Sequence, residues 1–363
     1  MDSAGSGNSC RQPVAHAWDG GGRVTEFLGR GTGLVARGWN EATALVTRIR
    51  WSRVGVALSV CIIAISVYIL WRRLHHLDVD RVMAAVRAKP PHEILAAAGA
   101  IAASYVTLTF YDWFALRTIG AHHVPYRIAA LASFTSYSIG HNIGATVFSG
   151  GAIRYRIYSF RGLRLIDIAK LCFVTGLTFW LGNITVLGLG MVYVPAAASA
   201  VDHLPPLANR MLGIAALAAL AGYLAYVWRK PRAFGTDRWR VTLPDGPLTL
   251  LQLLIGLADL FFCALAISFL IPSQPPIAFA ALSVVFVFAT LFGFASHAPG
   301  SLGVFDAAML VGLAQFDREE LVAGLLLFRL LYFILPFTLA LLAVGAREVW
   351  LAIGRTPDAR PGG

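Results

Sequence analysis

The sequence predicts an all-α integral membrane protein, a polytopic helical bundle, from three observations. Of 363 residues, 57% are hydrophobic and only 13% are charged, whereas a soluble domain carries about 25% charged residues. Mean hydropathy is +0.67. Apolar runs recur at the length, about 20 residues, that a helix needs to cross a bilayer core. Val54–Leu70 has no charge and lies between Trp51 and Trp71; Leu248–Leu270 holds a single acid, Asp259; Leu321–Val344 holds a single cation, Arg329.

Residues 1–50 are rich in Gly, Ser and Arg, which predicts a cytoplasmic tail, disordered or lying at the membrane surface. About 50 mixed residues precede the first apolar run, so a signal peptide is not expected. Six full spans follow, at 51–71, 92–118, 165–193, 211–228, 248–271 and 321–346, with 347–363 as a short cytoplasmic tail. Two further apolar segments, 129–149 and 277–316, are each interrupted near the middle. The interruptions are Gly140-His-Asn-Ile-Gly144 and Ser296-His-Ala-Pro-Gly-Ser-Leu-Gly303. Broken helices persist at membrane depth only where protein or a wet cavity surrounds them.

The net charge of +11 excludes little by itself, but its distribution does. The basic residues cluster between apolar runs, as cytoplasmic loops facing anionic lipid do, and this argues against a nucleic-acid partner. Arg48, Arg50 and Arg53 put the N-terminus in the cytoplasm. Arg154, Arg156, Arg161 and Arg164 form a second basic group, Arg229, Lys230, Arg232, Arg238 and Arg240 a third, and Arg347 and Arg355 a fourth. The loop near 194–210 and the acidic Asp317-Arg-Glu-Glu320 read as external. These assignments agree if both broken segments are re-entrant hairpins inserted from opposite sides; eight full crossings are the alternative. One loop disagrees, because Arg72, Arg73, Arg81, Arg87 and Lys89 then fall outside.

Asp112 precedes the first broken segment and Asp259 the second. Each segment carries a histidine with glycine three residues on, His141/Gly144 and His297/Gly300. This suggests an inverted repeat with its site at the repeat interface. Asp112, Asp259, Asp306 and Arg329 are the ionisable residues deepest in apolar sequence, and such residues mark pathways or ion pairs. Arg329, Tyr332 and Pro336 share one helical face, and Arg329 has Asp306 or Asp259 as a candidate partner. Gly150 and Gly151 would let the chain turn and start a half-helix at a phosphate, with Tyr155 beside them and Arg154 and Arg156 adding contacts. His141 and Asn142 would sit at the break, as proton carriers or as hydrogen-bonding struts. Cys10, Cys61, Cys172 and Cys263 lack metal-ligand or redox spacing. Neither a metal nor a cofactor is expected, and there is no nucleotide-binding glycine loop, GxSxG or HExxH.

Four stretches carry a family resemblance: Ile139-Gly-His-Asn-Ile-Gly144, Gly150-Gly-Ala-Ile-Arg-Tyr-Arg-Ile-Tyr158, Pro299-Gly-Ser-Leu-Gly-Val-Phe-Asp306 and Arg329-Leu-Leu-Tyr-Phe-Ile-Leu-Pro336. With the hydropathy over 50–346, they resemble the transmembrane domain of the lysylphosphatidylglycerol synthase/flippase family, which includes MprF-type flippase domains and YbhN-like membrane proteins. Two positions depart from the family pattern: Asp306 where glutamate is usual, and Ser301 where a second glycine is usual.

The resemblance implies a multi-pass protein of the bacterial inner membrane that moves an aminoacylated or related phospholipid between leaflets. The aminoacyltransferase domain of full-length relatives is not expected here, so a synthase activity is not carried over. The expected path runs from a head-group site at Gly150, Gly151, Arg154, Tyr155 and Arg156 to a polar centre. That centre comprises His141, Asn142, Gly144, Asp112, Asp259, His297, Pro299, Gly300, Gly303, Asp306, Arg329 and Tyr332. Two other function classes remain open: a membrane-embedded enzyme acting on a lipid or polyprenyl head group, with Asp112 and His141 as its acid–base pair, and an accessory subunit serving a separate lipid synthase. An oligomer fits any of them.

Overall fold

In the computed structural model the described residues are 68, 78–144, 146–228, 233–236 and 239–353. They belong to the second of two units, Leu58–Gly363. The expected tail 1–50 and most of the expected first span, 51–71, lie outside them, as do Cys10 and Cys61 and the basic residues 48–53, 72–73, 229–232, 238 and 355.

Twelve described helices follow one another. A short amphipathic helix, α1 (Val79–Ala88), leads into α2 (Pro91–Thr118). The first broken segment comprises α3 (Tyr126–Ile143) and α4 (Thr146–Tyr158). Next come α5 (Leu165–Tyr193), a short α6 (Pro195–Asp202) and α7 (Pro206–Trp228). A small antiparallel hairpin of β1 (Ala233–Thr236) and β2 (Trp239–Thr242) links α7 to α8 (Gly246–Leu270). The second broken segment holds α9 (Phe279–Ser296), a 3-10 turn (Pro299–Ser301) and α10 (Val304–Gly312). The chain closes with α11 (Arg318–Arg329), a π-helical segment (Leu330–Ile334) and α12 (Leu335–Ile353).

Six of these helices are long and apolar enough to cross a membrane: α2, α5, α7, α8, α9 and the run Arg318–Ala346. Five match expected spans. The sixth, α9, belongs to a segment expected to be broken, and it does turn back at His297. Two expectations need correcting. The segment 229–240, read as a plain basic loop, contains a β-hairpin. The helix at the C-terminal end continues past 346 to Ile353.

Close packing of small residues sets the frame. In lipid no hydrophobic force pulls helices together, so interfaces rely on backbones that approach closely. A Cβ on Gly182 of α5 would lie 2.9 Å from the carbonyl carbon of Gly256 in α8. Ala97 and Ala100 of α2 and Cys263 and Ala266 of α8 are small buried residues of one core cluster. Those two helices run antiparallel: Lys89, just before α2, donates to the Ile271 carbonyl just after α8, at 3.1 Å. By contrast α5 and α8 run parallel, since Gln252 reaches the Val174 carbonyl and Gly256 meets Gly182.

These directions fix how the broken segments run relative to the helices around them. The first starts from the end of α2 and delivers the chain to the start of α5, which lie on one side. His123 and the Arg161 carbonyl, at its two ends, are 3.0 Å apart. The second starts from the end of α8 and leads to α11, whose Gly324 packs on the Leu270 carbonyl, on the other side. Both segments are therefore hairpins that start and return at opposite ends of the α2–α8 pair, and the two aspartate-bearing helices α2 and α8 are antiparallel, as an inverted repeat requires. The discordant loop before α2 is partly neutralised where described: Arg81 pairs with Asp78 at 3.7 Å and Lys89 with Glu93 at 2.9 Å.

Candidate functional site

The hairpin tips meet. Helix α3 ends at Gly144, with φ +82, and α9 ends at His297, with φ +55. A Cβ on Gly144 would stand 2.9 Å from the His297 carbonyl oxygen and 3.2 Å from the Pro299 nitrogen. Glycine is required there both for its left-handed backbone and for this approach. The structural counterpart of His297 is thus Gly144, not His141; the matched His/Gly spacing in sequence is out of register by one helical turn. Pro299 cannot extend α9. The chain restarts at Gly303, whose N–H donates to Asp306 at 3.2 Å, an acid at a helix N-terminus where the dipole favours it.

Two arginine–aspartate pairs brace the hairpins. Arg154 of α4 donates from Nε to both Asp112 oxygens at 3.1 and 3.0 Å, and from a terminal nitrogen at 2.7 Å. The Tyr158 hydroxyl donates to the same carboxylate at 2.9 Å, and the Tyr137 ring lies 4.8 Å from the guanidinium. Asp112 is fully buried and Arg154 nearly so. Arg154 is therefore committed to a strut between α4 and α2 and is not held open for a phosphate. Gly150 and Gly151 do not turn the chain either, because both lie inside α4. Gly150 lets α4 approach the Ser136 carbonyl of α3, 3.4 Å from where its Cβ would be. Tyr155 and Arg156 are exposed on the outer face of this hairpin. The expected head-group cluster is thus divided between a buried brace and a surface.

The second pair joins Asp306 to Arg329 of α11, with Nε contacts of 2.9 and 3.1 Å. Arg329 also donates to the carbonyls of Gly300, at 3.0 Å, and Ser301, at 3.3 Å. One side chain thereby satisfies the carbonyls that the 3-10 turn frees. The inward face read from Arg329, Tyr332 and Pro336 is confirmed, since Tyr332 and Pro336 are buried. Pro336 has no N–H to offer the Tyr332 carbonyl four residues back. The Tyr105 hydroxyl supplies that bond at 3.0 Å, and Asn142 caps the Phe333 carbonyl at 3.0 Å. Asn142 is thus a strut joining α3 to the π-helical segment.

Between the tips and the α2–α8 pair lies a cavity of about 160 Å³, partly open to the outside. Its polar lining includes Asp259, His141, His297, Tyr111, Tyr137 and Tyr332. The rest is largely aromatic. Phe305, Phe328, Tyr332 and His141 form a column of near-parallel rings with centroids 5.9, 5.1 and 6.2 Å apart, running from one hairpin to the other. The His141 Nδ1 has no hydrogen-bond partner among the described residues, so the ring is stacked and is not a strut through that atom. Asp259 accepts from Ser104 at 2.6 Å and from Tyr111 at 3.5 Å. Among the described residues it has no cationic partner. Asp112 and His141, considered as an acid–base pair, are not paired: the first serves Arg154 and the second faces Tyr332.

Sequence reasoning missed Ser104, Tyr105, Tyr111 and Phe328. A usable signal was present in α2, where Ser104 and Tyr111, and likewise Tyr105 and Asp112, recur seven residues apart in an otherwise apolar run and so share faces.

Comparison with known proteins agrees with this architecture. The chain is 27% identical over 294 residues to the Synechocystis sp. protein slr0712, covering 81% of this chain and 91% of that one. It is 29% identical over 271 residues to the Escherichia coli inner membrane protein YbhN, covering 73% and 83%. A shorter stretch of 68 residues is 38% identical to a phosphatidylglycerol lysyltransferase of Staphylococcus xylosus, covering 18% of this chain and 8% of the enzyme. The family model described as the lysylphosphatidylglycerol synthase TM region matches residues 54–340, which takes in both hairpins, both ion pairs and the cavity. The chain is a multi-pass membrane protein and belongs to the lysylphosphatidylglycerol synthase transmembrane family.

Proposed function

We propose that this protein translocates an aminoacylated or related phospholipid between the leaflets of the bacterial inner membrane. The observation that carries this reading is the cavity where two oppositely directed hairpins meet, with aromatic walls and one carboxylate, Asp259, that has no cationic partner among the described residues. Aromatic faces and a carboxylate together suit an ammonium group, such as an aminoacyl head provides. Gly144 and Phe148 line the cavity, so α4 begins beside it with the positive end of its dipole towards a phosphate. The head group would occupy the cavity while the acyl chains stay in the surrounding lipid. Exposed apolar residues at the tips, Ile143, Phe148 and Leu302, suit that lateral passage.

The membrane and the lipid class both have support among the relatives. One bears the name of an inner membrane protein, and the short match is to an enzyme named for lysyl transfer to phosphatidylglycerol. Arg117, Arg161 and Arg164 gather on the side from which the first hairpin inserts, which favours that side as cytoplasmic. The enzyme reading loses its acid–base pair, since Asp112 and His141 are separately engaged. The accessory-subunit reading makes a different prediction, namely stable co-purification with a synthase and no lipid movement by the protein alone.

The test is leaflet-resolved labelling of lysylphosphatidylglycerol with a membrane-impermeant amine reagent. Cells lacking the protein, or carrying Asp259→Asn, should hold the lipid mainly in the inner leaflet. Outer-leaflet labelling equal to wild type in both would reject the proposal.

A further inference from the structure

Three aspartates lie inside the membrane region, and their surroundings differ in one respect. Asp112 has Arg154 and Asp306 has Arg329. Asp259 has two hydroxyl donors, Ser104 and Tyr111, and the Cys263 thiol at 4.0 Å. Among the described residues, the ionisable groups facing it from packed elements are Tyr105 and Tyr111 of α2, Cys263 of α8, Tyr137 and His141 of α3, Tyr332 of the π-helical segment and His297 at the second tip. Both nearby arginines are already neutralised by their own carboxylates. Yet Asp259 lines the cavity, with 6% of its surface exposed.

A carboxylate in such surroundings does not stay charged alone, because burial penalises an unpaired ion far more than a neutral group. Two occupants can neutralise it: a proton, or a cation entering the cavity. Both need the same oxygens, of which Ser104 already engages one, so they compete. We propose that Asp259 is an exchange site at which a proton and the ammonium group of the lipid alternate. This rests on the translocator reading given above and adds its coupling ion. The step balances as a protonated Asp259 plus an ammonium head giving an Asp259 carboxylate paired with that ammonium, plus one proton released to the open side of the cavity. Reprotonation from the opposite side would expel the head group. A proton gradient then drives lipid movement without a nucleotide.

The pH dependence has a definite sign. The ammonium binds only the deprotonated form, so affinity falls as pH drops through the Asp259 titration, by up to about tenfold per pH unit for one exchanged proton. The experiment uses the full chain in detergent, in weakly buffered solution with a pH-indicator dye. The probe is short-chain dioctanoyl lysylphosphatidylglycerol, with binding followed by tryptophan fluorescence. Wild type should release protons as the lipid binds and bind more weakly in acid. Dioctanoyl phosphatidylglycerol, which has no ammonium, should release none. Asp259→Asn mimics the protonated carboxyl in shape and should abolish both the release and the pH dependence, whereas Asp259→Glu should retain them. Gel filtration of both variants separates this from misfolding. Binding without proton release, or release unchanged in Asp259→Asn, overturns the exchange site and leaves the translocator reading standing. Absence of lysylphosphatidylglycerol binding by wild type, together with unchanged leaflet labelling in cells, overturns both.

Discussion

The two hairpins meet the same difficulty, a chain that stops and turns inside the bilayer, with different chemistry. The first is braced along its leg. Arg154 and Asp112 tie α4 to α2 in a fully buried pair, with Tyr158 filling another carboxylate position, and the tip itself is a bare glycine. The second is braced at its tip. Arg329 reaches from another helix, holds the carbonyls of Gly300 and Ser301, and pairs with the aspartate that caps α10. The first pair is sealed at 5% and 0% side-chain exposure, the second keeps 12% and 16%. Equal charges at similar spacing thus serve unequal ends: one pair holds a leg in place, while the other holds a turn that borders the cavity.

The difference can be broken by mutation, and the largest effect is expected at the sealed pair. Arg154→Ala leaves Asp112 buried without its partner and should cost about 3–5 kcal/mol of stability, read as thermal unfolding in detergent. Arg329→Ala leaves a partly wetted carboxylate and two carbonyls unpaired, and should cost about 1–3 kcal/mol. Equal losses in the two variants would mean that exposure does not separate the pairs. Gly144→Ala forces a Cβ against the His297 carbonyl at a positive φ, a strain of about 1–3 kcal/mol. Gly151→Ala meets nothing nearer than the Cys172 sulfur at 3.8 Å, so it should stay within about 0.5 kcal/mol of wild type. A comparable melting-temperature loss in both glycine variants would remove the tip-to-tip contact from the account.

A further pair of variants sharpens the role of the π-helical segment. Tyr105→Phe strips the Tyr332 carbonyl of its donor and should cost about 1–2 kcal/mol. Pro336→Ala restores an N–H four residues on. The double variant should therefore lose less than the sum of the singles, with a coupling of about 1 kcal/mol. Strict additivity in the unfolding measurements would show that the tyrosine serves some other purpose.

Much of the frame was legible beforehand because hydropathy and charge are local properties. The spans 92–118 and 165–193 match α2 and α5 to within a residue, since a lipid-facing helix must be apolar along its whole length. The breaks were legible for the same reason: glycines, a proline and histidines interrupt such runs visibly. The β-hairpin after α7 was not, because its basic residues overshadow any strand pattern. The division of the expected head-group cluster was not legible either, because Gly150-Gly151 reads equally as a turn or as a close helix contact until the neighbouring helix is in place.

By itself the sequence determined that this chain lives in a bilayer, that it breaks two helices there, and which aspartates and arginines go in with them. Its composition permits no other solvent, and every such residue stands out against an apolar background. Only the tertiary structure decided which charges cancel. Arg154 with Asp112 and Arg329 with Asp306 are 42 and 23 residues apart, and pairing depends on where α2, α4, α10 and α11 cross. Among the described residues the same crossings leave Asp259 without a cation beside the cavity, because an ion pair is a property of distance in space, and spacing along the chain does not encode it.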